Sequence, residues 1–142
     1  MTRTCTACGA RNRIPPARLA DVAVCGRCKA SLPASAAPID VVDVAGFDAI
    51  INASPVPVLV DFWAAWCGPC RMVAPDVSRA AAALAGRALV LKVDTERMPE
   101  LATRYRVAGI PNFAVFRGGR LVSQQAGAIR QPALEALAMA AA

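Results

Sequence analysis

The chain is expected to fold as an α/β domain, a mixed sheet flanked by helices, behind a small metal-held ribbon. Three observations carry that expectation. From residue 39 onward strand-like and helix-like patterns alternate, with two consecutive strands near the end. Near residue 31 the composition changes, from a segment rich in Arg, Cys, Gly and Pro to one of long apolar runs. Ahead of that change stand two Cys-x-x-Cys pairs, "CTAC" at 5–8 and "CGRC" at 25–28, sixteen residues apart.

Residues 1–30 are read as the ribbon. The arrangement C-x2-C-x16-C-x2-C is that of a four-cysteine zinc site. A segment of about thirty residues cannot bury enough surface to hold itself folded. Four thiolates on a tetrahedral metal replace the missing core and supply on the order of 10 kcal/mol. Gly9 and Gly26 lie beside the ligands, where the chain must turn tightly. The chain has no histidine, so zinc must be held by thiolates or carboxylates. Cys5, Cys8, Cys25 and Cys28 are the candidate ligands, for one structural zinc ion. Redox-active dithiols, free thiols and an iron–sulfur centre remain compatible with the same spacing. "SLPASAAP" at 31–38 reads as a linker.

The domain is expected over 39–142. "IDVVDV" (39–44) suggests a first strand and "FDAIINA" (47–53) a short helix burying Phe47, Ile50 and Ile51. "VPVLVDFWA" (56–64) is an almost unbroken apolar run, as in a strand covered on both faces. A helix over about 67–85 follows, with Val73, Val77, Ala80 and Leu84 on one face, Pro75 inside it and Gly86 as its stop. "ALVLKV" (88–93) is a second buried strand, and "PELATRY" (99–105) a short helix with proline in its first turn. "NFAVF" (112–116) and "LVSQQAG" (121–127) form a hairpin across "RGGR". "PALEALAMAAA" (132–142) closes the chain as a helix.

A third Cys-x-x-Cys pair, in "WCGPC" at 66–70, has no partner pair and lies where a buried strand meets a helix. That places Cys67 at a helix N-terminus, where free backbone N–H groups and the helix dipole favour a thiolate. Cys70, one turn on and more shielded, can close a disulfide with it. The expected chemistry is attack by Cys67 on a substrate disulfide, then resolution by Cys70. Asp61 is the single charge in its apolar strand; burial raises a carboxyl toward neutral pH and suits proton transfer with Cys70. Lys92, also in an apolar strand, is either a partner for Asp61 or a side chain reaching to solvent. Trp66, beside the nucleophile, is expected to be exposed and to touch substrate.

"VDFWAAWCGPC" and "AGIPN" (108–112) resemble the two active-site segments of the thioredoxin family, and the likeness runs from about residue 39 to the end. With its four-cysteine head, the chain resembles the zinc-ribbon branch of that family. The resemblance implies the thioredoxin fold and protein disulfide reduction. It makes Cys67 the nucleophile, Cys70 the resolving thiol, Asp61 the buried acid and Lys92 its neighbour. Trp66, Gly68, Pro69, Ile110, Pro111 and Gly127 become the substrate-binding surface, with Trp63 packed beneath, Pro111 as a cis-proline and Pro75 as the helix-kinking proline. Asn112 stands where many members have threonine. Implied partners are an NADPH-dependent thioredoxin reductase and oxidised client proteins. The chain is expected to act as a monomer with no bound organic cofactor, since no glycine-rich dinucleotide loop is visible.

Charge and composition exclude some classes. Residues 1–38 carry six basic side chains against Asp21, a net +5, but four thiolates on a divalent ion subtract two. With no aromatic residue there to stack on bases, nucleic acid is not an expected partner. No apolar run is long enough to span a membrane. Met1-Thr2-Arg3-Thr4-Cys5 has no apolar stretch of a secretory signal, so a cytoplasmic protein is expected. The alternative reading is a zinc-regulated oxidant sensor or binding module, in which oxidised ribbon thiolates release metal and the larger domain mainly docks partners.

Overall fold

The computed structural model describes all residues, Met1–Ala142. The N-terminal segment forms two small hairpins: β1 (Thr2–Thr4) with β2 (Arg11–Arg13), and β3 (Ala23–Val24) with β4 (Ser31–Leu32). Each hairpin tip carries one Cys-x-x-Cys pair. The positive φ of Gly9 (77°) and of Lys29 (65°) lets the chain reverse just beyond each tip. A 3-10 turn, Pro16–Arg18, joins the hairpins and lies against the first helix of the domain.

The domain is a five-stranded sheet in the order β5-β7-β6-β8-β9. Its elements are β5 (Ile39–Asp40), α1 (Val44–Ala53), β6 (Val58–Trp63), α2 (Gly68–Ala83), β7 (Leu89–Asp94), α3 (Pro99–Arg104), β8 (Asn112–Arg117), β9 (Arg120–Ala126) and α4 (Gln131–Met139). The first three strands in space are parallel; β8 and β9 run antiparallel. The expected hairpin is present, and its loop is tighter than the four residues of "RGGR": Arg117 and Arg120 join the strands, leaving Gly118 and Gly119 to turn at φ 60° and 82°.

Strand alternation sorts the core into two layers. Val58, Val60 and Phe62 of β6 and Leu89, Leu91 and Val93 of β7 pack with Phe47, Ile50 and Ile51 of α1 and Leu101 of α3. Leu59 and Val90 face the other way, onto Val73, Val77 and Ala80 of α2 and Leu134 and Ala138 of α4. Asp61, Trp63 and Lys92 fall by the same alternation on the α2 side. No helix is long and apolar enough to cross a membrane.

Two expectations at the start of the domain need correction. The strand expected over 39–44 ends at Asp40, because Asp43 caps α1: its carboxylate accepts the Gly46 amide at 2.6 Å, and the helix begins at Val44. The first two residues of the expected linker also belong to the ribbon, since Ser31 and Leu32 pair with Val24 and Ala23. Leu32 is 2% exposed and shares one apolar cluster with Ile14, Leu19, Val41, Phe47 and Ile50. The ribbon therefore rests on the domain through a common core. The side chain of Leu19 belongs to that shared cluster, and its carbonyl ties down the ribbon and the segment after it, accepting Arg3 at 2.9 Å and the Ser35 amide at 3.3 Å.

Candidate functional site

The ribbon cysteines converge. All four Sγ atoms lie within 4.8 Å of one another, with Cys5–Cys28 at 3.6 Å and Cys8–Cys25 at 3.7 Å. A tetrahedron with metal–sulfur bonds of ~2.3 Å has edges of about 3.8 Å, the separation within each of these two sulfur pairs. The knuckles also aim donors at sulfur. The Cys8 and Ala7 amides lower the Cys5 thiol below its ordinary value. The Cys28 amide, helped by the Asn12 side chain and the Arg27 amide, pulls Cys25 down to about 6. Asn12 is a residue the sequence reading missed. Its Nδ2 lies 3.5 Å from Cys25 Sγ while its Oδ1 accepts the Gly26 amide at 3.0 Å, so one side chain ties the first hairpin to the second. The cluster is consistent with a structural zinc ion.

The third pair sits where β6 gives way to α2. Cys67 is the cap residue of α2, and Gly68 and Pro69 are its first turn. Cys67 and Cys70 are disulfide-bonded, with Cα atoms 5.3 Å apart. Cys67 Sγ accepts the Cys70 amide at 3.2 Å and lies 3.7 Å from the Ile110 carbonyl oxygen. The Ile110–Pro111 peptide is cis. Burial does not separate the two cysteines: Cys67 is 3% and Cys70 4% exposed, so the extra shielding expected of Cys70 is absent while the bond is closed. What separates them is the helix terminus, which faces Cys67.

Asp61 is 2% exposed, and its Oδ1 has no hydrogen-bond partner. Burial pushes it up to about 7, with Lys92 pulling the other way. Lys92 is its cross-strand neighbour in the β6–β7 register. The two form no direct ion pair. Lys92 Nζ lies instead over the Trp63 ring, 4.4 Å from its centroid, at a cleft of about 410 Å³ that also admits Asp94 and Arg97. Lys92 thus acts on Asp61 through space.

Around the disulfide, Trp66 is 67% exposed and its indole N–H donates to Glu96 at 2.7 Å, a contact the sequence did not signal. Ile110 packs beside the cysteines and Pro111 is buried. Gly127 donates to the Pro111 carbonyl at 2.8 Å. Its φ of 102° excludes most side chains, and the space above it is open. Asn112 is buried, its Oδ1 held by Gln124 at 2.9 Å.

Asp76 was also missed. It lies three residues after Val73 on the apolar face of α2, is 5% exposed, and reaches across to α4. It accepts the Gln131 amide at 3.1 Å and Arg130 Nε at 3.0 Å, with Arg79 at 3.4 Å. The Gln131 amide first, then the two guanidinium groups, hold it below the usual carboxylate range against the opposing push of burial. An acid on an otherwise apolar helix stripe was the available signal.

Comparisons with known proteins agree with this geometry. The family model for thioredoxin matches residues 38–140, and that for the N-terminal zinc ribbon of thioredoxin 2 matches residues 4–30. Thioredoxin 1 of Chlorobaculum tepidum is 46% identical over 63% of this chain and 94% of its own length. Thioredoxin C-3 of Corynebacterium nephridii is 37% identical over 92% of this chain and 88% of its own, so that match includes the head segment. A bifunctional thioredoxin reductase/thioredoxin of Mycobacterium leprae is 44% identical over 68% of this chain and 21% of its own length. A thioredoxin mutant from Halobacterium salinarum NRC-1 superposes with a TM-score of 0.69 at 32% identity, over 75% of this chain and 92% of that one. The chain belongs to the thioredoxin family: it is a thiol–disulfide oxidoreductase with Cys67–Cys70 as its active-site pair and an N-terminal zinc ribbon.

Proposed function

We propose that the reductase cycle starts at Cys67 and is resolved by Cys70, with Asp61 handling the proton. The observation that carries this assignment is the placement of Cys67 Sγ at the α2 N-terminus, on the Cys70 amide. The thioredoxin dithiol is itself a standard case of a thiol pKa lowered in this setting. In the reduced protein, Cys67 thiolate attacks one sulfur of a client disulfide. That S–S bond breaks, one client thiolate leaves, and a mixed disulfide forms. Asp61 takes the Cys70 proton, and Cys70 attacks Cys67 Sγ. The second client thiolate leaves and the Cys67–Cys70 disulfide closes, so two electrons have passed to the client. A carboxyl titrating near 7 exchanges that proton readily. Lys92 tunes Asp61 by its charge.

Trp66, Gly68, Pro69, Ile110, Pro111 and Gly127 form the surface against which client backbone lies, supported by the open space at Gly68 and Gly127. One zinc ion on Cys5, Cys8, Cys25 and Cys28 holds the ribbon. Reducing equivalents come from a thioredoxin reductase using NADPH, a pairing supported by the fused Mycobacterium leprae relative, and no organic cofactor is bound. Four metal-binding thiolates suit a reducing compartment such as the cytoplasm.

Trapping tests the assignment. Cys70→Ser should accumulate mixed disulfides with oxidised clients, seen as higher-mass bands that collapse with reductant, while Cys67→Ser should form none. Adducts on Cys67→Ser rather than on Cys70→Ser would reverse the roles.

A further inference from the structure

A cleft of about 520 Å³ opens beside the active-site pair, lined by Pro69, Met72, Val73, Ala128 and Arg130. It is continuous with the client surface, since Pro69 lies between the two cysteines and Ala128 follows Gly127. Its walls are mostly apolar, and Met72 is 77% exposed. Arg130 is the single charged residue in the lining. The buried Asp76 holds Arg130 by Nε, at 3.0 Å, while the side chain as a whole is 76% exposed. Its two terminal nitrogens thus remain available. Asp76 also receives Arg79, so one carboxylate meets two guanidinium groups and a positive charge is left over at the cleft.

The geometry points to Arg130 as a specificity-determining residue, selecting clients that carry an acidic side chain close to the disulfide, next to an apolar one that enters the cleft. Asp76 is its positioning residue. Tethering at Nε reduces the freedom an arginine loses on binding, and the outward edge of the guanidinium matches a carboxylate. This inference rests on the reductase reading, because the cleft matters only if Cys67 attacks a client.

The test uses the reduced full-length protein in single turnover on cyclic disulfide peptides. The peptides have Asp, Asn or Lys two residues from either cysteine, beside a leucine. Reduction of the Asn peptide above the rate of a thiol blank establishes the reaction. The Asp peptide should then react about three- to fivefold faster than the Asn peptide, the scale of an exposed ion pair, and the Lys peptide slower still. The Asp preference should shrink in 1 M salt. Arg130→Gln should bring the Asp:Asn ratio to about one, Arg130→Lys should restore part of it, and Arg130→Glu should reverse it. An Asp:Asn ratio that is unchanged in folded Arg130→Gln overturns the inference while leaving the reductase intact. Failure to reduce any peptide would remove the reductase reading and this inference with it.

Discussion

The ribbon and the larger domain both carry Cys-x-x-Cys, yet the surroundings of the sulfurs differ. In the ribbon two pairs face each other at 3.6 and 3.7 Å, and hairpin amides and Asn12 point at sulfur. In the domain a single pair faces a helix start and the Ile110–Pro111 loop. Four converging sulfurs hold a cation. A single pair at a helix start closes into the active-site disulfide. Stability differs in parallel: the sheet carries two apolar layers of its own, whereas the ribbon's few buried residues lean on α1. The spacing of the cysteines is therefore common to both regions, and their neighbours set the chemistry.

The largest expected effect separates the regions outright. Removing zinc with a chelator, or replacing Cys25 with Ser, withdraws on the order of 10 kcal/mol from the ribbon alone. Hydrogen exchange should show protection lost over residues 2–32 and retained in β6, β7 and β8. Uniform loss would mean that the domain depends on the metal too. Next comes Asp61→Asn. The folded protein binds this proton more tightly than the unfolded chain, so stability falls as pH rises from about 4 to about 7 and then levels off. The rise from 3.8 to about 7 corresponds to ~4 kcal/mol at most. Asp61→Asn should recover up to that amount above pH 7 and nothing near pH 4, while slowing resolution by Cys70. Urea denaturation across pH checks the first, and decay of the mixed disulfide the second. Leu19→Ala should cost ~3 kcal/mol, by opening a cavity between ribbon and α1 without touching a ligand. Retained zinc stoichiometry with weakened protection of α1 would locate that cost in the interface.

The smallest effect has the opposite sign in pH. Asp76 titrates below its ordinary value, so its contribution is present at neutral pH and is lost as pH falls through the carboxylate range. Asp76→Asn should lower Tm by a few degrees at pH 7, the scale of a lost helix cap, and by less near pH 3. A Tm difference that grows toward low pH would contradict the tertiary-cap role.

The sequence makes most of this legible where one physical rule dominates. Unbroken apolar runs mark the central strands, the glycine pair in "RGGR" marks the final hairpin, and the ligand spacing marks the ribbon. It misleads where a side chain overrides a local pattern, as Asp43 does in stopping a β-prone run to cap α1. It is silent where function depends on contacts distant in sequence. Asn12 reaches Gly26, Asp76 reaches Arg130, and Trp66 reaches Glu96, across separations that no periodicity records. The sequence leaves the Lys92–Asp61 relation open for the same reason: register makes them neighbours, but only the packing of Trp63 shows where the ammonium rests.

The most direct test of the division between the cysteine pairs is a stepwise oxidation of the reduced, zinc-loaded protein. Hydrogen peroxide is added in sub-stoichiometric portions. Zinc release is followed with a chelating dye, and each cysteine is followed by alkylation and peptide mass spectrometry. Cys67 and Cys70 should oxidise together first, with the zinc retained and Cys5, Cys8, Cys25 and Cys28 protected. Zinc leaving in proportion to the first additions, with ribbon cysteines oxidised while Cys67 remains a thiol, would contradict that division.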